Sequence, residues 1–188
     1  MLEGQFIGVQ EPKSVFTLKK RFTVLKSGRI LLHATALGLY FAEVNGERVG
    51  DAYIAPGWTS YKKMLQVQEY DVTDLLREGE NEIVFTVSEG WYCGPLTWEH
   101  KRNVFGAQTA ICADIIADGK TVLSTDENWT ARESHIRESG IYNGETVDYT
   151  AECKPLTPVV VSFDKNVLVP QISEPVRNTE RIPVKKII

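Results

Sequence analysis

A chain of 188 residues, 43% hydrophobic and 24% charged, has the length and composition of one globular domain with extensions. Its formal net charge of −4, from 21 basic and 25 acidic residues, comes with no sustained basic stripe, which argues against nucleic acid and other polyanions as partners. No run reaches the apolar length of a transmembrane helix and MLEGQFIGVQEPK lacks the basic-then-apolar order of a signal peptide, so no membrane partner is expected.

Residues 1–13 read as an N-terminal extension. Phe16, Leu18, Phe22 and Val24 then alternate with Thr17, Lys19, Arg21 and Thr23, the period of two of a strand with one buried face, which Lys20 interrupts once. Arg29 to Leu37 and Leu39 to Val44 are further strand-like runs, with Gly38 as a bulge or bend between them. Asn45-Gly46 follows, the dipeptide that best tolerates the positive φ angles of a type I′ hairpin turn. One short helix is predicted over Asp71 to Glu78, capped by Asp71 or Thr73, with Leu75 and Leu76 as its apolar edge and Gly79 as its stop.

Strand patterning resumes at Glu82 to Ser88, where Ile83, Phe85 and Val87 share a face. Gln108 to Ile116 and Lys120 to Ser124 flank Asp118-Gly119 and predict a second hairpin. Asn143-Gly144 marks another turn, from which Glu145 and Asp148 would project. Five of the eight prolines (Pro155, Pro158, Pro170, Pro175 and Pro183) fall in residues 153–188, which read as a linker carrying short strands and the start of a following β-domain. Many short strands, frequent turns and one brief helix predict an all-β, antiparallel β-sandwich of jelly-roll type over residues 14–152, with an extended C-terminal tail. Cys93, Cys112 and Cys153 are odd in number and form no C-x-x-C, so neither a disulfide framework nor a zinc site is indicated and a reducing, cytoplasmic setting is expected.

The run ALGLYFAEVNGERVGDAYIAPGWTSYKK, then YDVTDLLREGENEI, EGWYCGP and IYNGETVDY, resembles the N-terminal β-sandwich domain of bacterial α-L-rhamnosidases. Several separate blocks in one order, from about Val15 to Glu152, carry the likeness. It implies a parent glycoside hydrolase that removes terminal L-rhamnose with inversion. Its catalytic carboxylates would sit in an (α/α)-barrel domain that, with a following β-domain, is the expected partner within the parent chain. This domain would then be a non-catalytic brace for that catalytic domain, in contact with rhamnosyl substrate, or an autonomous carbohydrate-binding module.

Trp58, Tyr61, Trp91, Tyr92 and Trp98 are candidates for stacking on a pyranose ring, because an aromatic face suits the C–H face of a sugar. Trp58 and Trp91 also read as pins for loops at the sandwich edge. Tyr92 and Trp98 lie between Glu89 and Phe105, a segment without strand pattern, where a rigid scaffold would present a binding loop. Some domains of the resembling kind hold rhamnose through a bound Ca²⁺, which by motif would place the ion near Asn45 and Pro95. Only Glu43, Glu47 and Asp51 lie close in sequence to donate carboxylate oxygens, and no cofactor is the simpler expectation. The expected carbohydrate-binding set is thus Asn45, Trp91, Tyr92 and Trp98. Glycosidic chemistry would need two carboxyl groups at a defined separation. Glu99, Glu145, Asp148 and Glu152 stand near aromatics but in no catalytic spacing, and the expectation is that the chain itself carries no catalytic residue.

Overall fold

The computed structural model describes residues 2–25 and 28–186. In chain order its strands are β1 (Ile7–Val9), β2 (Val15–Val24), β3 (Ile30–Leu37), β4 (Leu39–Val44), β5 (Glu47–Arg48), β6 (Ala52–Tyr53), β7 (Leu65–Asp71) and β8 (Gly79–Ser88). Helix α1 (Gly90–Cys93) follows, then β9 (Ala110–Ala117), β10 (Lys120–Ser124), β11 (Thr130–Glu133), β12 (Ile136–Gly140) and β13 (Gly144–Val147). The chain closes with β14 (Pro155–Leu156), β15 (Pro158–Val160), β16 (Leu168–Pro170) and β17 (Val176–Arg177).

Two sheets face each other, as the alternating patterns predicted. The larger runs β15-β1-β9-β3-β7-β16 with β10 on β9, and the smaller runs β14-β11-β2-β8-β4-β5. Phe16, Leu18, Ile83, Phe85 and Val87 of the smaller sheet pack against Ile30, Leu32, Ile111 and Ile115 of the larger. The expected hairpins form at Asn45-Gly46 (φ 53 and 84) and Asp118-Gly119 (φ 51 and 72), where both central residues take the left-handed conformation of a type I′ turn. At Gly38, with φ +127, the chain leaves the larger sheet as β3 and enters the smaller as β4, so the predicted bend is the crossover between layers.

The helix expected over Asp71 to Glu78 is not there. Asp71 ends β7, Thr73–Leu75 form a single 3₁₀ turn, and Gly79 opens β8. The Asp71 Oδ1 accepts from the Thr73 N–H at 3.1 Å and from its hydroxyl at 2.6 Å, a local turn that competes with helix. The α-helix lies instead at α1, inside the segment read as irregular loop.

The two ends of the chain are also not appendages. Within residues 1–13, β1 pairs Ile7 with Val160 and with Ile111, and Leu2, Phe6, Ile7 and Val9 are buried; Met1 lies outside the described residues. Within residues 153–188, β14 pairs with β11, β15 with β1, β17 with β6, and β16 runs parallel to β7. Pro155, Pro158 and Pro170 sit on strands at sheet edges, the positions where a missing N–H costs no ladder bond. The Gln66 Oε1, buried, accepts from the N–H groups of Ile172 and Ser173 at 2.9 and 3.1 Å and fastens this return segment.

These ends cover the outer face of the larger sheet. Leu2, Phe6, Leu37, Tyr61, Leu65, Tyr92, Ala110 and Cys112 form a second apolar cluster there, closed by Phe105, Phe163 and Leu168. Strand β9 is therefore buried on both faces, which accounts for its unbroken apolar run AICADIIA.

A Cβ on Gly38 would sit 2.2 Å from the Ser88 carbonyl oxygen, whereas one on Gly119 would meet nothing within 4 Å. Gly38→Ala should lower the unfolding free energy by roughly 2–4 kcal/mol, and Gly119→Ala, which meets only the left-handed backbone penalty, by roughly 1 kcal/mol. Urea unfolding of the two variants measures this. Equal losses would show that Gly38 is not a forced crossover.

Candidate functional site

The expected sugar-contacting residues fall into three environments. Asn45 caps the β4–β5 hairpin, and its amide is fully engaged. Its Nδ2 donates to the Leu75 carbonyl at 2.9 Å and to Asn81 Oδ1 at 2.8 Å, while its Oδ1 accepts from the Glu82 N–H at 3.0 Å. Asn81 in turn donates to the carbonyls of Arg77 and Gly79 and accepts from the Arg77 N–H at 3.0 Å. This pair of asparagines replaces the backbone bonds that a helix over these residues would have made, and it holds the 3₁₀ turn against the hairpin.

Tyr92 belongs to α1 and is only 7% exposed. Its ring meets Tyr61 edge-on at 5.2 Å and 82°, in the second apolar cluster. Burial first, and then the neighbouring Glu89 charge, push the Cys93 thiol beside it up to about 12, and burial does the same for Cys112. Both thiols stay protonated at neutral pH and are inert as nucleophiles.

Trp98 is 99% exposed. It rides a tight loop closed by reciprocal bonds between Leu96 and Lys101, at 2.7 and 2.9 Å, with Thr97 and His100 in the left-handed conformation. Trp91, half-buried on α1, stacks on Trp58 with ring centroids 5.5 Å apart and planes 13° from parallel. Trp58 is 54% exposed. The two residues read as separate pins are therefore one two-ring platform at the end of the sandwich, built from loops 33 positions apart in sequence.

Asn45 does not join this platform. In the β4–β8 ladder Leu39 faces Ser88 and Val44 faces Ile83, so the hairpin tip and the loop after Ser88 lie at opposite ends. Six residues separate Glu82, which bonds Asn45, from Ser88, a span of about 20 Å at 3.3 Å per residue. Gly94 folds back against Glu89 and Gly90, keeping Pro95 at the far end. A single Ca²⁺ cannot touch both Asn45 and Pro95, and of the nearby carboxylates Asp51 is paired with Arg177 at 3.0 Å. The residues present do not fit the ion at that pair of positions.

The carboxylates weighed for catalysis are dispersed. Glu99 pairs with Lys101 at 2.6 Å rather than with His100. Asp148 Oδ1 accepts from the Thr150 hydroxyl and N–H at 2.6 and 2.9 Å, which holds its carboxyl below the usual range, the hydroxyl being the largest cause. Glu145 accepts from the Ser139 hydroxyl at 3.3 Å. Among the described residues no group of three or more His, Cys, Asp and Glu converges as a metal site.

Two antiparallel sheets packed face to face define an all-β sandwich domain. The chain belongs to the family of alpha-L-rhamnosidase N-terminal domains, whose model matches residues 26–180. It is 35% identical over 178 residues to an alpha-L-rhamnosidase of Streptomyces avermitilis, covering 86% of this chain and 17% of that one. Its fold superposes on the alpha-L-rhamnosidase of Aspergillus terreus with a TM-score of 0.85 at 32% identity, over 95% of this chain and 23% of that one. The Streptomyces avermitilis enzyme solved with L-rhamnose gives a TM-score of 0.81 at 30% identity, over 94% of this chain and 19% of that one. The chain thus spans no more than about a quarter of these relatives.

Burial separates the roles of the candidate aromatics. Tyr92→Ala, which empties a packed site, should destabilise the fold by roughly 3–5 kcal/mol, and Trp98→Ala should change stability by less than about 0.5 kcal/mol. Denaturant unfolding of both variants is the check. A neutral Tyr92→Ala would remove Tyr92 from the core.

Proposed function

We propose that this chain is a non-catalytic accessory domain of an α-L-rhamnosidase, a glycoside hydrolase that releases terminal L-rhamnose, and that it braces the catalytic domain of the same parent chain. The observation that carries this reading is the coverage. Relatives named alpha-L-rhamnosidase match nearly all of this chain with under a quarter of their own length. The chemistry agrees with it, because the four carboxylates considered for glycosidic work are exposed, locally bonded or ion-paired rather than set in a facing pair. The partners on this reading are the following β-domain and the (α/α)-barrel.

A second reading, an autonomous rhamnose-binding module, is supported by the Trp58–Trp91 platform, since one exposed ring backed by another presents a rigid apolar face. Rhamnose offers its C6 methyl and axial C–H groups to such a face. Calcium dependence on this reading would require a site other than one shared by Asn45 and Pro95.

Incubated at high concentration with an aryl α-L-rhamnoside, the chain should give no turnover above buffer, while the full-length parent cleaves it. Turnover by the isolated chain that is lost in Glu99→Gln or Asp148→Asn would overturn the non-catalytic reading. Rhamnose titration of the tryptophan fluorescence, with calcium and again with a chelator, tests the second reading. A saturable response absent from Trp58→Ala would establish the binding module, and no response in either condition leaves the brace.

A further inference from the structure

The outer face of the smaller sheet is not covered as that of the larger sheet is. A groove of about 450 Å³ opens there, within the size range of small-ligand sites. Its floor is the outward side of β4 and β8, where Phe41, Thr86 and Ser88 lie on one face by the two-residue period of the strands. One wall is the segment leading into and through β6, and the other is the β12–β13 hairpin. The hairpin pairs only with itself among the described strands, and the Ser139 N–H reaches the Ser14 hydroxyl at 3.3 Å to hold it beside β2.

The two walls carry complementary chemistry. On the first, the Arg48 guanidinium lies over the rings of Phe41 and Tyr53, 5.0 and 4.9 Å from their centroids, with Nη2 donating to the Ala52 carbonyl at 2.8 Å. Contact with both rings and the bond to the Ala52 carbonyl restrain the guanidinium. No carboxylate of the described residues forms an ion pair with it, unlike Arg21, Arg29, Arg102, Arg137 and Arg177. On the second wall Glu145 is exposed, and among the described residues its carboxylate accepts from the Ser139 hydroxyl and joins no ion pair. Tyr53 is 46% exposed, and Ile54 and Ile141 give each wall an apolar stretch.

A restrained donor and an exposed acceptor, neither in an ion pair among the described residues, line one groove over a floor with two hydroxyls and a ring. An interface between protein domains favours a centre depleted of charge. A hydroxyl-rich ring needs the opposite: a donor and an acceptor for its diol, and apolar surface for its C–H face. We propose that this groove is a pyranoside-binding site, with Arg48 and Glu145 taking vicinal hydroxyls and Tyr53 packing on the apolar face of the ring. The site is separate from the Trp58–Trp91 platform. It does not depend on the bracing role, because a brace need bind no sugar.

The test is a backbone-amide NMR titration of the chain with methyl α-L-rhamnopyranoside, methyl α-D-mannopyranoside and methyl β-D-glucopyranoside. One sugar ring has few atoms, so a dissociation constant on the order of 1 mM or weaker is expected, and each titration runs to about 50 mM. At least one glycoside should shift resonances of residues 41, 48, 53, 86 and 139–145 together. Glu145→Gln and Arg48→Ala should each weaken that binding roughly tenfold, the loss expected for one charge-assisted bond. Retained spectral dispersion in each variant shows that the fold is intact. Shifts confined to residues around Trp58 and Trp91 would support the binding-module reading and overturn the groove. Absence of shifts with all three glycosides would overturn it as well.

Discussion

A buried carboxylate cannot be left without partners, and the sandwich is closed around one. Asp114, in the middle of β9 and 2% exposed, receives the Glu3 N–H at 2.6 Å, the Gly4 N–H at 2.8 Å and the Ser124 hydroxyl at 2.7 Å. Desolvating this group unpaired would cost several kcal/mol, so wherever β9 forms, the N-terminal segment is drawn onto it. Lys165 completes the closure. Its ammonium donates to the carbonyls of Leu2, Glu3 and Gly4, and so links the start of the chain to the return segment from β15 to β16. With both segments in place, Phe6 meets Phe163 at 5.1 Å within the apolar cluster on the outer face of the larger sheet.

Much of the fold was legible because its determinants are local. Gly46 and Gly119 follow Asn and Asp at φ values that only such pairs adopt readily, and the alternation of Ile83, Phe85 and Val87 places one face of β8 inward whatever its partners are. The short strands of residues 153–188 were read, but their sheet partners were not, because proline speaks to position within a sheet rather than to which strand lies beside it. Pro155, Pro158 and Pro170 rule out central strands and permit edge strands, and edge strands are what they form. Asp71 to Glu78 failed as a helix for a different reason. Its apolar pair Leu75 and Leu76 fits a single 3₁₀ turn as well as a helix edge, and the contest was settled by Asn45 and Asn81, 30 or more residues from each other in sequence.

The candidate site was legible only in part, and strand length is the physical cause. Residue types such as Asn at a turn and Trp in a loop can be read one by one. Whether they meet depends on which end of a ladder each occupies, and the β4–β8 register sends Asn45 and Trp91 to opposite ends. Trp58, ahead of β7, and Trp91, just after β8, come face to face although they adjoin strands of different sheets. Their shared Gly-Trp context was the available signal, since a glycine beside each ring lets a loop turn closely enough for two indoles to stack. Tyr92 was the harder case, because on a four-residue helix one step of rotation separates a half-exposed indole from a core phenol.

The two sheets divide the work of stability and contact between them. The larger sheet is covered over part of its outer face as well, where Tyr61, Tyr92, Phe6 and Leu65 lie in a cluster that a sandwich of two bare sheets would lack. That extra apolar burial, at about 25 cal/mol per Å², supplies stability independent of the central core. The smaller sheet can then leave its outer face open. Phe41, Tyr53 and Arg48 stay partly or fully exposed there, with the guanidinium resting on both rings. On the binding proposal these exposed aromatic and charged groups are the surface that meets the sugar. The N-terminal segment and the return from β15 to β16 are fastened to the larger sheet by Asp114, Lys165 and Gln66, whereas β17 pairs with β6 and so backs one wall of the groove.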